Sequence, residues 1–127
     1  MPTTLLRSFA VTALCGLVSA PVGAQQVNKE QVDGIRNLSR IESTVACAGA
    51  ITPAAIQEIK KMGFTSIINL RLATEQGADI EGHTAVAKAA GIPYYHIPFS
   101  ASAPDPAAVD TFLKTITAPG VQPAFIH

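Results

Sequence analysis

Cysteine is scarce in this sequence. Two occur in 127 residues, and Cys15 lies in an N-terminal segment with the make-up of a removable leader. The mature chain would then keep Cys47 alone. A single thiol closes no internal disulfide, so the fold must stand on its apolar core. An excess of one charge is missing too: Lys plus Arg is 9 and Asp plus Glu is 9. Removing Arg7 with the leader leaves 9 − 1 = 8 against 9. Without a basic surplus, binding to nucleic acid or to an anionic membrane surface is not expected. No apolar run reaches the roughly 20 residues that a membrane-spanning helix needs. His83, His96 and His127 lack zinc-like spacing, no Cys-x-x-Cys occurs, and there are no repeats or low-complexity tracts. With 48% hydrophobic and 14% charged residues, the chain is also too apolar for intrinsic disorder.

What is present begins with that leader. Arg7 supplies a positive start, residues 9–18 are apolar apart from Thr12 and Gly16, and Val22-Gly23-Ala24 offers small residues before Gln25. The segment is expected to be a signal peptide cleaved after Ala24, sending the chain to the periplasm or outside the cell. A lipoprotein modified on Cys15 is disfavoured because Leu14 stands where a small residue is required. Residues 25–127 amount to 127 − 24 = 103, enough for one small domain.

Residues 25–36 read as a polar lead-in. Residues 37–41 and 44–47 then read as two short strands joined by a turn at Glu42-Ser43. Cys47, in the apolar run 44–48, is expected to be a small buried hydrophobe. Thr52 as N-cap and Pro53 at the first helical position predict a helix carrying Ile56, Ile59 and Met62 on one side and closed by Gly63. Residues 65–70 form a β-branched run short enough for an interior strand. A second helix is expected over residues 79–90, ending at Gly91, with His83 on its apolar face as a satisfied core histidine. Residues 93–98 predict a third core strand. The stripe Val109, Phe112, Leu113 and Ile116 then marks a helix begun by Asp105-Pro106. Residues 121–127 return to strand. This alternation predicts an α/β fold of three layers, with a mainly parallel sheet and helices on both faces.

In such sheets the chemistry lies beyond the carboxyl ends of the strands. The loops at residues 71–77 and 99–105, and whatever follows His127, therefore matter most. Arg71 is a candidate for a substrate's anionic groups, with pairing to Glu75 the plainer alternative. Asp105, followed by Pro106, reads first as a helix cap. Asp110 is a poorer acid candidate, lying on the helix opposite its apolar stripe. His96 reads as a hydrogen-bonded sheet residue, and Lys60-Lys61 as a solvated helix face.

The ordered segments Gly49-Ala50-Ile51-Thr52-Pro53, Gly63-Phe64, Ile67-Ile68-Asn69-Leu70-Arg71, Gly91-Ile92-Pro93-Tyr94, His96-Ile97-Pro98 and Pro123-Ala124-Phe125-Ile126-His127 resemble one family. It is the bacterial dual-specificity-phosphatase-like family of cysteine-dependent phosphatases, which includes the phosphatase-like domain of β-lactamase-hydrolase-like proteins. The resemblance covers residues 35–127.

It implies a final strand running into a His-Cys-(x)5-Arg signature, in which the cysteine thiolate attacks phosphorus and the loop amides and arginine hold the phosphate. His127 matches the first residue of that signature, and Asp105 lies where the class places its general acid. The implied activity is hydrolysis of a phosphomonoester, on a phosphorylated protein or a small phosphoester, with no cofactor or metal. The sequence ends on His127, so residues 37–127 are expected to be the N-terminal part of one phosphatase-like domain. These 127 residues would by themselves be inactive. Two alternatives stay open at this point: a rhodanese-like sulfurtransferase, and a non-catalytic pseudo-phosphatase or binding module.

Overall fold

The computed structural model describes residues 25–41 and 43–127. The leader read at residues 1–24, with its cleavage point, lies outside them. The described chain forms six strands and three helices, in the order β1 (Val27–Val32), β2 (Ile35–Ile41), β3 (Val45–Cys47), α1 (Ala55–Lys61), β4 (Ser66–Asn69), α2 (Ile80–Ala90), β5 (Tyr94–His96), α3 (Pro106–Ile116) and β6 (Ala124–Ile126). The strands make one mixed sheet in the spatial order β1-β2-β3-β6-β4-β5. From β3 through β6 and β4 to β5 all pairings are parallel, whereas β1, β2 and β3 pair antiparallel. The α/β expectation holds, with an antiparallel extension on one side.

Strand register explains how the two faces are filled. Arg40, Ala46, Phe125, Ile67 and Tyr94 lie opposite one another in successive strands and form one row. Side chains alternate along a strand, so this row shares a face. Ile56 and Ile59 of α1 and Ala87 and Ala90 of α2 pack against that face, with Phe125 and Ile67 wholly buried. Phe64 meets Phe125 edge-on at 5.5 Å, and the Arg40 guanidinium lies 4.9 Å over the Phe64 ring while pairing with Glu30 at 3.2 Å. The neighbouring row, Ser39, Cys47, Ile126, Ile68 and Tyr95, faces the other way. There α3 brings Phe112 and Ile116 onto Ile68 and Ala124.

Helix ends follow the sequence at α2 and α3 and depart from it at α1. Asp79 caps α2 by accepting from the Gly82 amide at 3.1 Å. Gly91 closes α2 at φ +66°, a backbone conformation open to glycine at little cost, and hands the chain to Ile92, whose N–H reaches back to the Ala87 carbonyl. The Lys60 ammonium donates to the Ala90 carbonyl, another acceptor left over at that helix end. In α1, however, Thr52 is not the cap. Its N–H donates to the Gly34 carbonyl at 3.0 Å, and its carbonyl and that of Pro53 accept the first turn's amides. The helix therefore starts at Ala55, after a turn tied to the β1–β2 hairpin.

Three further expectations are corrected. Part of the polar lead-in, residues 25–36, is a strand: β1 pairs with β2 from Val27–Ile41 to Val32–Ile35, joined through Asp33-Gly34. Cys47 is exposed rather than buried: it is the last residue of β3 and is not among the residues packed with α3 on that face. The α3 stripe is only half used: Ile116 is buried and Phe112 partly so, while Val109 and Leu113 are 42% and 52% exposed. Among the described residues, no helix is long and apolar enough to cross a membrane.

Candidate active site

The carboxyl ends of β3, β6 and β4 open on one edge of the sheet, and His127 stands there just past β6. Its N–H donates to the Ile68 carbonyl at 3.0 Å, and its carbonyl accepts from the Leu70 N–H at 2.7 Å, so β4 grips it by the backbone. The ring lies on the same face as Phe125 and is 5% exposed. It meets His83 edge-on at 5.4 Å and lies 6.3 Å from the Tyr94 ring. Neither ring nitrogen has a hydrogen-bond partner among the described residues. Burial away from water, reinforced by His83, Arg71 and His96, pulls its pKa down to about 3. His127 is a neutral imidazole. The fold buries this strand-terminal ring instead of turning it to solvent.

Beneath it runs a chain of polar side chains whose donors and acceptors can be assigned in sequence. The His83 Nε2 lies 3.2 Å from the Ile51 carbonyl, which can only accept, so Nε2 carries the proton. In the neutral ring Nδ1 then accepts, and the Tyr94 hydroxyl 3.4 Å away is placed to donate to it. The Asn69 amide nitrogen in turn donates to the Tyr94 oxygen at 2.7 Å, and the Asn69 oxygen accepts from the Arg71 N–H at 2.8 Å. Burial pushes the Tyr94 hydroxyl up to about 12, against the Asn69 hydrogen bond that favours its ionised form. The network links the loop after β3 to the loop after β4 through the core. It also places His83 as a satisfied core histidine, as its helical position predicts.

Arg71 opens the loop after β4. Its guanidinium pairs with Glu75 at 3.1 Å and donates to the Gln76 carbonyl, so the plainer alternative of support by Glu75 is realised. The Arg71 carbonyl accepts from His96 Nε2 at 2.9 Å. The Arg71 charge is nevertheless close enough to His127 to be among the groups lowering its pKa. Asp105 is exposed at the start of α3 and accepts from the Ala107 N–H at 2.9 Å, with Pro106 opening the helix. Asp110 is exposed on the same helix, and Lys61 pairs with Glu58 on an exposed face of α1. Among the described residues, no three His, Cys, Asp or Glu side chains converge as a metal site.

The structure thus sets His127 and Arg71 at adjoining strand ends and gives Asp105 a capping hydrogen bond. Sequence reasoning passed over Asn69 and Tyr94. Asn69 carried a signal, since an amide inside a β-branched interior strand must find partners once buried.

Comparison with known proteins agrees with this architecture. Residues 37–125 match the family described as the phosphatase-like domain of β-lactamase hydrolase-like proteins, and the chain belongs to that family. Nothing among curated proteins matches it. A candidate phosphatase (DUF442) of Shewanella putrefaciens CN-32, solved twice, superposes with a TM-score of 0.66 at 21% identity. The match covers 74% of this chain and 59% or 62% of the other. A candidate phosphatase of Neisseria meningitidis Z2491 superposes with a TM-score of 0.56 at 22% identity, over 67% of this chain and 61% of its own. The chain thus spans about three fifths of the length of these solved relatives. They share its fold, and the domain is phosphatase-like.

Proposed function

We propose that this domain belongs to an exported, cysteine-dependent phosphatase that hydrolyses phosphomonoesters through a phosphocysteine intermediate. The observation that supports this reading best is His127: a buried, neutral histidine at the carboxyl end of a central parallel strand, where the family's His-Cys-(x)5-Arg signature begins. In this reading a thiolate directly following His127 attacks phosphorus and the ester P–O bond breaks. A general acid protonates the departing oxygen, and water then cleaves the S–P bond to release inorganic phosphate. His127, gripped by Ile68 and Leu70, fixes the point at which the phosphate loop leaves the sheet. The substrate is a phosphorylated protein or a small phosphoester. Secretion through the leader at residues 1–24 would bring the enzyme to substrates outside the cytoplasm.

The first test is the gene across this point. The reading requires a cysteine codon directly after His127 and an arginine codon six positions beyond it; a stop codon or another residue there sinks it. The protein extended through that signature should then hydrolyse an aryl phosphate in EDTA and lose activity to a thiol alkylator. Indifference to the alkylator would contradict the mechanism. Asp105→Asn separates acid from cap, because asparagine caps a helix about as well as aspartate. If Asp105 is the acid, turnover of substrates with poor leaving groups falls while the melting temperature holds.

A further inference from the structure

A second feature on the same edge of the sheet is not used by that chemistry. Between the loop after β3 and the loop after β4 lies an open cleft of about 590 Å³, walled by Arg36, Asn37, Ala50, Thr52, Arg71 and Gly77. Its volume falls within the range of small-ligand sites, about 300–1,000 Å³. The lining contains two guanidinium groups and no carboxylate. Arg36 projects from β2 into solvent with no ion-pair partner among the described residues, while Arg71 keeps its Nε unpartnered beside the Glu75 pair.

We infer that this cleft binds a second anionic group, a phosphate or carboxylate, carried by the substrate whose phosphoester is cleaved beyond β6. Position supports this. Arg71 follows Leu70, whose N–H holds the His127 carbonyl, so the cleft opens beside the end of β6. Its floor is apolar, with Ile35 and Ile51 buried at 6% and 4% exposure, and low polarity beneath a charge strengthens its attraction for an anion. The walls are also fixed in advance. The Arg36 N–H and carbonyl pair with Ala50 and Gly49, Ile51 is held by His83, and Arg71 is held by Asn69 and His96. Gly77, at φ +79°, brings its loop so close to Ala50 that an added Cβ would lie 3.2 Å from the alanine methyl. The backbone on both sides is thus held before the ligand arrives, and binding has to order chiefly the Arg36 side chain.

The identity of the cleaved group rests on the proposed phosphatase activity; the anion site does not. It is tested by titrating the isotope-labelled 127-residue chain with inorganic phosphate and, separately, with succinate, following backbone amide shifts. Saturable shifts are expected at Ala50, Arg71 and Gly77, weakening as salt is added. Arg36→Gln should weaken the binding about tenfold with a native-like spectrum retained, and Arg36→Lys by less, since lysine keeps the charge without the fork. Saturation by phosphate alone makes the second group a phosphate, and saturation by succinate alone makes it a carboxylate. Shifts that never saturate, or that are unchanged in Arg36→Gln, overturn the inference. If the extended protein fails to hydrolyse phosphoesters while these shifts persist, the phosphatase reading falls and the anion site stands. Hydrolysis without these shifts has the reverse meaning.

Discussion

Replacing His127 by phenylalanine should make the chain more resistant to acid, and the size of the effect follows from the burial of the ring. The folded chain holds the imidazole at a pKa of about 3, against 6.5 for an exposed histidine. The unfolded chain therefore takes up a proton on this ring as the pH drops through 6.5, and the folded chain does not until about 3. The stability this ring contributes is complete above about pH 6.5 and is lost as pH falls toward 3, at up to about 1.4 kcal/mol per pH unit. Between about pH 7 and pH 5 the loss amounts to about 2 kcal/mol, a sizeable part of the roughly 5–15 kcal/mol that holds a domain together. Phenylalanine keeps a flat ring against His83 and has nothing to protonate. It also removes two buried nitrogens without partners, so His127→Phe should be no less stable than the parent at neutral pH. Urea unfolding of both proteins at a series of pH values gives the difference directly, and subtraction cancels the carboxylates common to both. The gap should widen in favour of the variant by about 2 kcal/mol from about pH 7 to pH 5. Parallel curves would mean that the ring is wet and titrates normally, and the burial argument would fail.

Three other outcomes are expected. Phe125→Ala removes the centre of the row that α1 and α2 cover and should cost about 3–5 kcal/mol in urea unfolding, with a smaller loss arguing that the site collapses around the gap. Gly77→Ala forces a side chain into a left-handed backbone and against Ala50; it should lower stability by about 1–2 kcal/mol in thermal melts, and an unchanged melt would place this loop differently. The Cys47 thiol is exposed, and its partial burial raises its pKa. It should react with an aromatic disulfide in the native state, slowly at neutral pH and faster as the solution is made alkaline. Reaction only after denaturation would restore the buried assignment.

Local chemistry carried much of the architecture into the sequence. Asp79, Gly91 and Asp105-Pro106 announced their helix ends because capping uses only the residue and its near neighbours. The run ending at Asn69 announced an interior strand because both of its faces are buried. Two misreadings share a cause. Thr52 looked like a cap until the hairpin turn at Gly34 claimed its N–H, and β1 looked like a polar lead-in because its outer face is solvated and its partner is β2. Asp33-Gly34 was a legible hairpin signal that the reading passed over. Val109 and Leu113 kept helical spacing, but spacing reports which side of a helix is apolar, not whether anything covers it.

The candidate site divides along the same line. His127 could be placed at a strand end from the apolar run before it, and Arg71 at a loop start from the run before that. The sequence by itself determined that these two residues sit at one edge of an α/β sheet, since strand direction and alternation need only local pattern. What only the tertiary structure decided is what surrounds them. Asn69, Tyr94 and His83 come from β4, β5 and α2 to form one hydrogen-bonded chain, and Arg36 comes from β2 to face Arg71 across a cleft. Contacts between residues 11 to 35 positions apart depend on strand order and register, β6 inserted between β3 and β4. Those are set by how the whole core packs, and no local pattern encodes them.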